Sequence, residues 1–190
     1  YRWATGTLGT VTGVEFAGYV GTGQMGRNAR FHLQWDQPDR PATVMAKFPT
    51  TDAPVRSLAF ATGAYLKEWF FYSSIAPTVG VRAPKCYAAR LDAAAEDFVI
   101  LMEDLADSRQ GDQIDDIEDH ATPDPRAMEQ AVALHAPRWG EADLIASLAG
   151  DQPVPERDMV AILLQAGYQA ALPGFMERFA HRLEPEVVKL

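Results

Sequence analysis

The run Gly21-Thr22-Gly23-Gln24-Met25-Gly26 constrains this chain more than any other segment. A G-x-G-x-x-G turn lets backbone approach a bound phosphate closely, and the residues after its third glycine separate the folds that use it. A dinucleotide-binding unit continues into a helix, whose N-terminus receives the anion. Here the continuation alternates instead, with Phe31, Leu33 and Trp35 on one side and Arg30, His32 and Gln34 on the other. That two-residue period belongs to a strand. Thr10–Tyr19 also reads as extended, with Val11, Val14 and Phe16 expected to face inward, so the glycine turn joins two strands. No Gly-Lys-Ser/Thr comes after it, which excludes a Walker-type loop.

The rest of the chain divides by period. Asp36–Pro41 is a proline-punctuated turn, and Thr43–Phe48 predicts the next strand of a hairpin. Thr51 or Asp52 is a helix cap, with Pro54 tolerated in the first turn. Leu58, Tyr65, Trp69 and Tyr72 then recur at helical spacing over Leu58–Ser74 until Pro77, and Gly63 weakens the middle enough to split the stretch in two. Strand-like segments return at Lys85–Leu91 and Phe98–Met102. The second half predicts helices: one from Asp124–Pro125 to about His135, one from Pro155 carrying Met159, Ile162, Leu163 and Ala166, and one over Phe175–Leu183. Glu184–Leu190 opens a further helical pattern without a stop signal, so continuation past Leu190 is expected. The fold class is α+β, with a strand-rich part over 1–105 and a helical part over 106–190.

A formal net charge of −9 opposes binding to nucleic acid or to an acidic membrane, while leaving room for a local phosphate pocket. No apolar run is long enough to span a bilayer and no signal-peptide pattern opens the chain. The single cysteine, Cys86, cannot form an intrachain disulfide, which suits a reducing cytoplasm. It has no base nearby in sequence and reads as a structural thiol.

Three further segments carry chemistry. In Val44-Met45-Ala46-Lys47 a lysine sits inside an apolar strand, a costly placement unless its ammonium meets an anion. Alternation puts Met45 and Lys47 on one face, where Met45 can pack on a base and Lys47 can reach its phosphates. Glu68 stands in the aromatic helix Tyr65–Tyr72 and calls for a cationic partner, which a lysine–glutamate ion pair would supply. Phe98–Leu105 is a buried strand that runs into Glu103 and Asp104 before the helical half. Each has a plainer reading: a hairpin turn, a strand lysine reaching water, a surface glutamate, a strand that ends. Their order is what argues for a shared purpose.

With Lys47-Phe48-Pro49, Met25-Gly26-Arg27, Phe71-Tyr72, Gly111-Asp112-Gln113 and Leu134-His135-Ala136 added, the set resembles the aminoglycoside-phosphotransferase-like superfamily, and within it the ecdysteroid-kinase-related branch. The similarity covers most of residues 10–140. It implies a protein-kinase-like two-lobed fold, with an N-lobe over 1–105 and the start of a C-lobe over 106–190. Lys47 would grip the α- and β-phosphates of ATP, and Glu68 would hold Lys47. Gly21, Thr22, Gly23, Gln24, Met25 and Gly26 would cover the nucleotide. Met102, Glu103, Asp104 and Leu105 would form the hinge, whose backbone binds adenine. Asn28 departs from the general kinase pattern, which favours an apolar residue there.

Such kinases also use a His-x-Asp loop, a later Asn and a metal-binding Asp. Two residues after His32, His120, His135 and His181 stand Gln34, Thr122, Pro137 and Leu183. The catalytic loop and the Mg2+ ligands are therefore expected beyond residue 190. The expected partners are a nucleotide and a small-molecule acceptor. A non-catalytic nucleotide-binding scaffold is the alternative, and a nicotinamide-dependent oxidoreductase rests on the glycine motif alone.

Overall fold

A computed structural model describes residues 10–21, 23, 25–108, 125–141, 143–144 and 157–184, with side chains from 161 onward in the last segment. The chain is α+β and divides into two compact units, Tyr1–Gln152 and Pro153–Leu190. In the first unit the strands are β1 (Val11–Val20), β2 (Gly26–Trp35), β3 (Thr43–Pro49), β4 (Cys86–Asp92) and β5 (Asp97–Glu103). They form one antiparallel sheet in the order β1-β2-β3-β5-β4. The helices are α1 (Ala53–Ala61), α2 (Ala64–Phe70) and α3 (Pro125–His135), and the second unit holds α4 (Arg157–Phe179).

Local chemistry accounts for the junction after β3. Asp52 caps α1 by accepting the Val55 N–H, and Pro54 occupies its first turn, where a missing N–H costs nothing. Gly63, at φ 69°, then breaks the helix as its composition predicts, because the left-handed region is open to glycine at little cost. α2 runs on through a wider π turn, Phe71–Ile75, and stops at Pro77.

In antiparallel pairs, residues directly opposite share a face. Lys47 lies opposite Asn28 of β2 and Ile100 of β5; Met45 lies opposite Arg30 and Met102. One face of the sheet therefore changes character across its width. At its β4–β5 end, α2 packs on it, and Tyr65, Phe98, Ile100, Met102 and Ala59 form the core. The Tyr65 ring lies 4.6 Å from that of Phe98 and 4.9 Å from that of Phe60.

Three expectations change. Val14 and Phe16 are exposed rather than inward-facing, at 39% and 52%. β1 is an edge strand with bulges at Val11/Gly13 and Phe16/Gly18, and Phe16 stacks instead on Tyr19 and Phe31. Leu58 is exposed, and its neighbour Ala59 takes the buried position, because the break at Gly63 rotates α1 out of phase with α2. The helices expected from Pro155, whose first two residues lie outside the described ones, and over Phe175–Leu183 form a single helix, α4, which runs through Pro173 and ends at Phe179. Proline removes one backbone donor, but the strong helix formers Ala170, Ala171 and Leu172 carry the helix past it.

Candidate functional site

The ammonium of Lys47 stands 2.5 Å from Glu68 Oε1. Both side chains are about a quarter exposed, so the pair lies at the rim of the core and keeps access to solvent. The lysine comes from β3 and the glutamate from the second turn of α2. The contact thus needs the strand, the break at Gly63 and the helix to be in place together.

The glycine turn meets this pair from the side. A Cβ at Gly26 would lie 3.0 Å from Lys47 Cε and 3.2 Å from the Phe48 carbonyl oxygen, so a larger residue there would crowd the lysine stem. Gly21 takes φ 81°, which other residues adopt at a cost. Arg27 points to the opposite face, where it donates to Tyr19 Oη at 3.1 Å and lies over its ring. Thr22 and Gln24 lie outside the described residues, as do Gly111, Asp112 and Gln113.

The segment after β5 is held by side chains that sequence reasoning did not pick out. Arg30 of β2 grips Asp104 in two hydrogen bonds, 2.6 and 3.0 Å, and the Asp104 side chain is 3% exposed. That guanidinium holds the Asp104 carboxyl below the usual carboxylate range against the opposing effect of burial, with help from the Thr43 hydroxyl and the Ala106 N–H. Glu103 accepts the Lys85 N–H and pairs with Arg82, which lowers its pKa too. The N–H of Glu103 is itself donated to the Lys85 carbonyl at 2.8 Å. The N–H of Leu105 has no acceptor among the described residues. Arg30 was visible only as a polar position on an alternating strand; its partner lies 74 residues away.

Met45 is half-buried and Met102 buried, both against the core cluster. Cys86 is half-buried there as well, and burial pushes its thiol pKa up, away from the thiolate a nucleophile needs. Among the described residues no group of three His, Cys, Asp or Glu is placed to hold a metal ion, and no helix is long and apolar enough to cross a membrane. No protein family, no curated protein and no solved structure matches the chain.

The Arg30–Asp104 contact sets a pH dependence. A carboxyl with a lowered folded pKa contributes stability above its unfolded value, about 4, and loses it as pH falls through the lower folded value. Asp104→Asn is therefore expected to be less stable than the parent at pH 7, with a narrower gap at pH 3, below the unfolded value of about 4. Urea unfolding at the two pH values checks this. A gap of the same size at both pH values would show that the asparagine disturbs packing rather than removing a charge.

Proposed function

We propose that this chain is the nucleotide-binding part of an ATP-dependent phosphotransferase that acts on a hydroxyl, less favourably an amine, of a small molecule. One observation carries the reading: the Lys47–Glu68 pair at 2.5 Å, with the lysine stem threaded against Gly26 of the glycine turn. A fixed ammonium beside a turn of close-approaching backbone suits the charge of a polyphosphate. The antiparallel order β1-β2-β3-β5-β4, with α2 inserted after β3, supports a kinase-like N-lobe.

In this reading Glu68 orients Lys47, and Lys47 neutralises the α- and β-phosphates. The segment Gly21–Gly26 folds over the phosphates and Met45 flanks the base. Along Met102–Leu105 backbone groups other than the Glu103 N–H, which the Lys85 carbonyl already holds, meet the adenine edge. Mg2+ would accompany the nucleotide and supply charge neutralisation.

Titration with a fluorescent ATP analogue tests the proposal. Saturable binding with Kd between about 1 μM and 1 mM is expected, the range in which nucleotide enzymes commonly operate. No saturable signal, or equal signal with NADH, would remove it. A non-catalytic nucleotide-binding scaffold is favoured by a separate observation, that none of the four histidines begins His-x-Asp. Transfer of labelled γ-phosphate by the full-length protein distinguishes the two readings.

A further inference from the structure

Tyr65 has a hydroxyl in a position where core packing asks only for a ring. Its side chain is 2% exposed and stacks between Phe60 and Phe98. The hydroxyl donates to the backbone carbonyl of Met25, in the glycine turn, and accepts the Thr50 N–H at 3.3 Å. Both of its bonds therefore go to backbone at the place where β2 begins and β3 ends, since Gly26 pairs with Pro49. Glu68 lies three residues further along α2, on the same side of the helix. One short helix thus holds the glycine turn through Tyr65 and the lysine through Glu68.

We propose that Tyr65 is a positioning residue that fixes the glycine turn over the phosphates, so that α2 sets both phosphate-gripping elements at once. This rests on the nucleotide reading above for its ligand, but the tether itself is independent of it. A ring alone would fill the core equally well, as Phe70 does from the last turn of the same helix. A hydroxyl buried among apolar rings persists where it has partners, because an unpaired buried polar group is costly. Here the partners are the two backbone segments flanking the phosphate side. A shift of α2 would then move the turn together with Lys47. The order of the turn and the lysine–glutamate contact would rise and fall together.

Tyr65→Phe keeps the ring and removes the hydroxyl. Amide hydrogen exchange over Met25–Arg27 is expected to accelerate about tenfold, while β5 exchanges as before. Affinity for the ATP analogue should fall about three- to tenfold, as for the loss of one net hydrogen bond's worth of ordering, and affinity for adenosine should not change. A merely structural role would weaken both ligands or neither. Unchanged exchange over Met25–Arg27 overturns the tether. Faster exchange with unchanged ATP affinity overturns its role in holding the nucleotide. Should the parent chain bind no nucleotide, the functional reading falls, and the exchange measurement still decides the tether.

Discussion

Lys47→Ala is expected to weaken binding of a fluorescent ATP analogue roughly ten- to 150-fold, the loss that goes with about 1.5–3 kcal/mol for a hydrogen bond to a charged group. The fold should survive. Lys47 and Glu68 are each about a quarter exposed, so the glutamate left behind is solvated, and a rim pair of this kind contributes at most about 1 kcal/mol to stability. The melting temperature should accordingly move by no more than about 5 °C. A large affinity loss with a small stability loss identifies Lys47 as a phosphate ligand. Unchanged affinity would make it a strand lysine whose ammonium serves only Glu68.

Ile100→Ala should show the opposite pattern, with stability lost first. Ile100 is fully buried, sits opposite Lys47 on β3 and Ala89 on β4, and belongs to the cluster with Tyr65, Phe98 and Met102. Truncating a buried isoleucine removes transfer free energy and leaves a cavity, together about 2–5 kcal/mol. That is a large part of the roughly 5–15 kcal/mol that separates folded from unfolded states. Urea unfolding at neutral pH should show a midpoint shift of that size with little change in slope. A loss below about 1 kcal/mol would mean that this cluster is not the core on which the sheet depends. Because β5 also leads into Glu103–Leu105, partial unfolding of the variant should free the Arg30–Asp104 contact at the same time.

The strands and the helix breaks were legible because they follow from local rules. Alternation in Arg30–Trp35 produced β2, the cap at Asp52 with Pro54 produced α1, and Gly63 split the helical stretch where a left-handed residue was needed. Where local rules were misleading, tertiary context had overridden them. Val14 and Phe16 alternate like inward residues, yet an edge strand with two bulges leaves them exposed. The partners of polar side chains were not legible at all. Nothing in the sequence links Arg30 to Asp104, or Tyr65 to Met25, since each pair is joined across strands and helices by packing.

For the glycine turn, then, the sequence by itself determined the residue types: glycines that permit close backbone approach, a strand after them rather than a helix, a lysine inside an apolar strand, and a glutamate on the next helix. These follow from periodicity and steric allowance within a few residues. Only the tertiary structure decided that Lys47 meets Glu68, that Gly26 is the residue the lysine stem passes, and that Tyr65 ties α2 to the turn. Such contacts depend on register between strands and on the angle at which a helix lies on a sheet. Both are set by burying apolar surface over the whole unit, and no short segment encodes them.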